Sequence, residues 1–426
     1  MTFSLHPGIL SLLAVALFLA TQLWLKWPLP LTFIAVAAAT ALLGGYGLPF
    51  RHLVEGGFGF INLILGLFSG AFFGHMMRRS GASEITAEGI VRLAGGRALP
   101  VLVMVGAPIF VVGMFVGIAG IAVLSAGVFA VPALKRIGFD DATTAAFIAV
   151  IATAGMIAPP MNVPAMLIAD GTNMPWTNVS GALLALSLPM AISAVLWFGL
   201  RQPSPGPSTL ALQGRSAPGG TLRGLAPLAV IVAAWIGVRL LGDRIPDPSS
   251  PLILLVGGFV ALPWLPRHEF RKVVWSTFTG TPLLLAAALV SIGILVQIMT
   301  LTGVRGWIVI GTMSLQPPWN YPSLLLGMPL VGGALTSMVT SDVIGVPAAF
   351  SFIKQDMILN VAALSAIAAL AEFVAPTSIA AALSCYVVNG GSVWKVFTRA
   401  WLPLAVLALC AILMLVFAPR LTGILT

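Results

Sequence analysis

Residues 145–169 read AAFIAVIATAGMIAPPMNVPAMLIA, and residues 362–387 read AALSAIAALAEFVAPTSIAAALSCYV. Each is long enough to cross a bilayer as a helix. Each is interrupted by proline, Pro159-Pro160 in the first and Pro376 in the second. Proline removes a backbone donor and crowds the preceding turn, so carbonyls partway along each segment lose their helical partners. Lipid cannot satisfy them. Broken helices at corresponding places in two halves of a membrane chain are the sequence mark of an inverted-repeat secondary transporter, whose freed backbone groups line a site near the bilayer midplane. The plainer reading is a pair of proline-kinked packing helices, since proline is common in membrane helices.

Composition supports the membrane setting. Of the 426 residues, 59% are hydrophobic and 8% charged, with a mean hydropathy of +1.06; a soluble domain carries about a quarter charged residues. The chain is polytopic. Its first apolar run, 8–25, has no basic stretch before it and no small-residue cleavage pattern after it, and reads as a retained span. Cys385 and Cys410 fall in apolar spans without metal-ligand or CxxC spacing, so they read as core thiols. The net charge of +9 is carried by basic residues at the ends of apolar runs. It therefore reports topology and not nucleic-acid binding.

Apolar stretches of about 20 residues fall at 8–25, 29–48, 58–77, 141–169, 178–200, 224–241, 251–265, 279–301, 356–386 and 399–417. These make ten predicted spans. Two further stretches, 98–134 and 319–352, have Gly-rich centres, GMFVGIAG (113–120) and GGALTSMVTSD (332–342), and suit re-entrant hairpins. The alternative is two short full spans apiece. With hairpins, one side collects fifteen of the 21 Lys and Arg residues, and the other only Arg51, Arg239, Arg244, Arg305, Lys354 and Arg420. The richer side is then cytoplasmic, which puts both termini outside. The expected fold is all-α and polytopic: two inverted-topology repeats, 1–200 and 224–426, joined by a cytoplasmic linker, 201–223, whose Pro/Gly/Ser-rich part is 203–220. Stretches 81–96 and 267–278 mix charged and apolar residues and read as interfacial arms or as ordinary loop helices.

Of twelve acidic residues, ten sit in loops or near span ends, while Asp342 and Glu372 fall inside predicted membrane segments. An ionised carboxylate there costs at least about 2.5–3.5 kcal/mol, so such groups face a cavity, a partner or an ion path. Asp342 lies beside Thr340 and Ser341 at the second hairpin tip and offers oxygen ligands to a hard cation, or it caps the returning half-helix. Glu372 lies one turn before Pro376 and Thr377; it is either a coupling group or a carboxyl bonded to a neighbouring helix. The first half has no acid there. It offers Gly117, Ala119, Gly120 and Ser125 around its tip and Thr153, Gly155 and Asn162 around its prolines. The expected substrate cavity draws on Ser125, Pro160, Asn162 and Ser378, with half-helix N-termini favouring a small carboxylate. No HExxH or Asp-rich pair appears, and His268-Glu269-Phe270-Arg271 breaks the metalloprotease pattern. The chain does not read as an enzyme.

The stretch 62–171 is similar to the first half of the large membrane subunit (DctM-like) of tripartite ATP-independent periplasmic transporters. The landmarks are NLILGLFSGAFFGHMMRRSG, VPALKRIGFDDATTAAF and ATAGMIAPPMNVPAMLIADG; the second half resembles the family through 371–377 and GGSVWKVFTRAWLPL (390–404). The resemblance implies a sodium-driven importer of organic acids, working by an elevator motion in a bacterial cytoplasmic (inner) membrane. It further implies a periplasmic solute-binding protein, a small four-helix membrane subunit, and no cofactor beyond sodium as coupling ion. By position its cation sites fall at Gly117, Ala119, Gly120, Thr153 and Pro159, and at Thr340, Ser341, Asp342, Pro376 and Thr377. The first tip, GIAG, lacks the family's hydroxyls, and Glu372 replaces an expected glycine, so a proton carried by Glu372 is the alternative coupling. The competing readings are a stand-alone inverted-repeat anion transporter and, outside transport, an intramembrane enzyme or an assembly subunit.

Overall fold

The computed structural model describes residues 5–201, 220–241, 248–314, 319–352 and 356–425, and helices are the regular elements among them. Antiparallel helices α1 (Pro7–Leu23) and α2 (Leu29–Leu43) pack with Phe18 stacked on Phe33. Short α3 (Phe50–Phe58) then meets α4 (Ile61–Arg79) at a 42° bend. After α5 (Ala82–Leu93), α6 (Ala98–Val116) ends at Gly117, whose φ of 69° is left-handed. Glycine adopts that conformation without a steric cost. The chain reverses there through α7 (Ala119–Leu124) and α8 (Gly127–Arg136), which brings Arg136 back to within 3.2 Å of Glu84 on α5. The first broken helix follows as α9 (Asp141–Ile157) and α10 (Val163–Gly171), and α11 (Ser180–Leu200) completes the first half.

The second half opens with α12 (Gly220–Leu241), α13 (Ser249–Val260) and α14 (Arg267–Thr277), then α15 (Thr281–Leu301) and α16 (Val304–Met313). Helix α17 (Asn320–Leu335) turns at Thr336 into α18 (Ser337–Thr340), a π-helical turn (Ser341–Gly345) and α19 (Val346–Ser351). The second broken helix is α20 (Met357–Ala369) with a 3-10 turn (Leu370–Phe373), the Pro376 break, and α21 (Ile379–Val388). Helices α22 (Val393–Val416) and α23 (Ala418–Leu421) end it. Apart from Gly220, the Pro/Gly/Ser-rich linker stretch 203–220 lies outside the described residues.

Both broken helices start on an aspartate cap. The Asp140 Oδ1 accepts from Thr143 N at 2.9 Å, and the Asp356 Oδ1 accepts from Ile358 N at 2.9 Å. Both then run through the centre: every residue of α9 from Thr144 to Ile157 is buried, as is every residue of α20 from Leu359 to Ala369. Their small, Ala-rich surfaces let neighbours approach closely, which replaces the hydrophobic drive that helices lack in lipid.

Four helical runs among the described residues are long and apolar enough to cross a membrane: α6, α11, α22 and the run Arg267–Leu301; the bent α3–α4 pair makes a fifth. Seven further apolar helices are 10–17 residues long, because breaks and caps cut the apolar stretches into half-helices. Length alone would make α6 a span, yet the turn at Gly117 sends the chain back. Pairing of Arg79 with Glu269, Arg136 with Glu84, Lys135 with Asp141 and Arg399 with Asp140 gathers the basic ends of α4, α8 and α22 on one face, with α5 and α14.

Candidate transport site

Each reversing tip lies against the proline break of its own half. In the first, Met161 N donates to Met114 O at 3.2 Å, and a β-carbon on Gly117 would stand 2.7 Å from Met161 O. Only glycine allows that approach. In the second, Thr377 donates to Gly333 O from both its backbone N and its Oγ1, each at 2.9 Å. The two broken helices also touch each other: Asn162 Nδ2 donates to Ser365 Oγ on α20 at 3.2 Å.

The freed carbonyls do not stay bare. At the first break the Asn162 Nδ2 also donates to Ile157 O at 3.1 Å, the Asn162 Oδ1 caps Ala165 N at 3.0 Å, and Trp176 Nε1 donates to Pro160 O at 3.2 Å. At the second, Ala371 O accepts from Val374 N at 3.1 Å, and Thr377 fills Gly333 O of the tip helix α17. The sequence expectation of carbonyls open to a ligand is thus corrected at these positions, because each found a protein donor, as buried backbone must.

Glu372 is buried between the second tip and α21. Its Oε1 accepts from Ser337 Oγ at 2.5 Å, and its Oε2 accepts from Ala380 N at 3.0 Å. A cavity of about 20 Å³ opens beside it, room for roughly one water. Gly117, Ile118 and Gly120 of the first tip line it, with Thr336 and Ser337 of the second, Ile379 and Leu383 of α21, Leu63 and Leu67 of α4, and Leu285 and Leu289 of α15. Among these lining residues Glu372 alone is ionisable. The cavity therefore joins both tips and the second break to two long helices of the surrounding layer.

The other expected residues divide. Gly117, Gly120 and Glu372 line the cavity, and Ala119 is buried at the start of α7 beside it. Pro159 and Pro160 form the first break, Pro376 and Thr377 the second, and Ser378, at the N-terminus of α21, keeps a buried Oγ without a partner. Hydroxyls of Ser125, Thr153, Thr340 and Ser341 each donate to a carbonyl four residues back, within their own helical turns. Asp342 does not line the cavity and pairs with Arg305 of α16 at 2.5 Å. Sequence reasoning missed Ser337, although it lies within the quoted 332–342 stretch, and Ser365. It also missed the leucines of α4 and α15, whose apolar surroundings carry no signal.

Residues 10–203 match the family model described as "Tripartite ATP-independent periplasmic transporter, DctM component". This half of the chain is DctM-like. The match takes in the first tip, the Pro159-Pro160 break and all of α11, so the DctM-like sequence supplies one tip and one break of the site. No curated protein matches the chain. The remaining elements around Glu372 belong to the half beyond the match, and their role rests on their contacts with the DctM-like half.

Proposed function

We infer that the chain is the membrane permease subunit of a secondary active importer of organic acids, driven by a cation gradient across a bacterial inner membrane. A periplasmic solute-binding protein feeds it and a small four-helix membrane subunit braces it. The observation that supports this reading is the convergence of two reversing tips and the second proline break on one buried cavity that holds a single carboxyl group, Glu372. Such a place offers a solute oriented backbone and offers a cation a negative ligand. On this reading the basic-rich face is cytoplasmic, with both termini periplasmic, and the halves are inverted repeats. The tips and broken helices move as one body past α4 and α15, and the solute crosses with them. Because the cavity admits about one water, the tips must part before a solute enters.

Sodium is the first coupling ion on family grounds, bound near the Thr377 and Ser378 break and at the first tip. A proton is the second reading, and one observation favours it: Glu372 is the sole ionisable group among the residues that line the cavity, which is otherwise largely apolar. Each carboxylate oxygen accepts one hydrogen bond and keeps a lone pair free for a proton, whereas a hard cation needs several oxygen ligands at once.

The test is uptake by the chain reconstituted with its two partner proteins, over a panel of labelled carboxylates, under separately imposed sodium and pH gradients. One gradient should drive accumulation. Indifference to both would overturn cation coupling, and full uptake without the binding protein would favour the stand-alone transporter.

A further inference from the structure

A second polar cleft lies where the N-terminus of α9, the C-terminus of α11 and the N-terminal turns of α22 meet. It encloses about 270 Å³ and is lined by Asp140, Thr143, Trp197, Arg201, Thr398 and Arg399, among others. The Arg201 guanidinium carbon lies 3.4 Å from the centre of the Trp197 ring, flat against an aromatic face that orients its N–H groups. Trp197 is fixed in turn, because its Nε1 donates to Arg399 O at 3.0 Å. Arg399 donates to Thr143 Oγ1 at 3.1 Å and to Asp140 Oδ2 at 3.3 Å.

The charges of the cleft do not balance. Asp140 spends its Oδ1 on capping α9 and meets Arg399 with the other oxygen. Burial raises its carboxyl, but the Thr143 hydrogen bonds, Arg399 and Lys395 outweigh that and hold it below the usual carboxylate range. It therefore stays ionised at neutral pH and cancels one cation. Neighbouring Lys135 and Asp141 pair with each other at 3.0 Å. Arg201 forms no ion pair among the described residues, and residues 202–219 contain no acid to supply one. Among the lining residues, Arg201 and Arg399 against Asp140 leave one positive charge over, and Lys395 is near enough to act on Asp140 as well.

We propose that this cleft binds the phosphate of an anionic phospholipid, with its acyl chains along α22. A guanidinium held flat presents paired donors that match phosphate oxygens, and the site stands at the rim of the membrane-spanning helices. Leu200 is 78% exposed beside it. Trp401 meets Trp197 edge to face at 5.3 Å. From Trp401 an exposed apolar stripe continues through Leu409 and Leu413 on α22, four and eight residues apart, so it runs along one side of the helix. Inorganic phosphate would meet the same guanidinium groups but would leave that stripe unused, which is why the lipid is the occupant favoured.

The test compares the full chain with Arg201→Gln, an exposed change that removes no hydrogen bond among the described residues, and with Arg267→Gln on α14 as a control of equal charge. Delipidated protein is incubated with phosphatidylglycerol or phosphatidylcholine vesicles, and retained lipid and thermal midpoint are measured. The wild type and Arg267→Gln should retain phosphatidylglycerol over phosphatidylcholine, and Arg201→Gln should lose about tenfold of that preference with its midpoint in phosphatidylcholine unchanged. Equal retention by Arg201→Gln and wild type would overturn the proposal. Displacement of phosphatidylglycerol by millimolar inorganic phosphate, with the same stabilisation, would overturn the lipid assignment in favour of a free anion.

Discussion

The two proline breaks have the same plan and opposite chemistry. At the first, Asn162 spans the gap: it serves Ile157 O, Ala165 N and Ser365 Oγ at once, and Trp176 takes the Pro160 carbonyl. Nothing ionisable is present. At the second, Thr377 ties the break to the tip, Glu372 links Ser337 to the first turn of α21, and Ser378 keeps a buried hydroxyl without a partner. The first break is a closed, neutral joint; the second holds a charge-bearing group and an unused polar atom. On the proposed function, the group that can answer an ion is then Glu372 at the second break.

The strongest challenge to this asymmetry is Glu372→Gln, which keeps the volume and one acceptor while removing titration and charge. Uptake against a gradient should fall by about tenfold or more, the scale of a coupling free energy of about 1–3 kcal/mol, while exchange of solute at equal concentrations persists. Wild-type accumulation by the variant, with its ion dependence unchanged, would leave Glu372 as a structural link only.

Damage to the neutral joint should appear as instability instead. Asn162→Ala leaves Ile157 O and Ala165 N buried without partners, at about 1–3 kcal/mol for each group, and should lower the thermal midpoint and the yield of folded protein. Coupling in the surviving protein should be intact. A variant as stable as wild type would show that the joint is not held by this side chain. A smaller effect is expected for Thr377→Val: the backbone N–H still reaches Gly333 O, so about 1 kcal/mol is at stake, again read as a shift in midpoint.

Much of this contrast was legible in the sequence. The proline breaks, the Gly117 turn and the isolated Glu372 each break a local rule of apolar helices, and each proved to be where elements meet. What was not legible is who satisfies whom. Asn162 and Thr377 were visible as polar residues near a break, but that they fill carbonyls, instead of leaving them for a ligand, depends on distances across elements up to 203 residues apart in the chain. The wall formed by Leu63, Leu67, Leu285 and Leu289 was hidden for another reason. Leucine on a membrane helix looks the same whether it faces lipid, core or cavity.

Asp342 sharpens the comparison, because it is the other acid of the second half that falls in a predicted membrane segment and the structure gives it a different neighbour. Its carboxylate meets Arg305 at 2.5 Å, with side chains 36% and 29% exposed, and it does not line the cavity. Asp342→Asn should therefore leave ion-driven accumulation near that of the wild type. Arg305→Gln is the more informative partner, since it strands the acid: if Asp342 serves only the pair, the double variant should be no worse than Arg305→Gln alone. Loss of sodium or proton dependence in Asp342→Asn, with Glu372 intact, would move the coupling group from the break to the tip and reverse the assignment made from the two breaks.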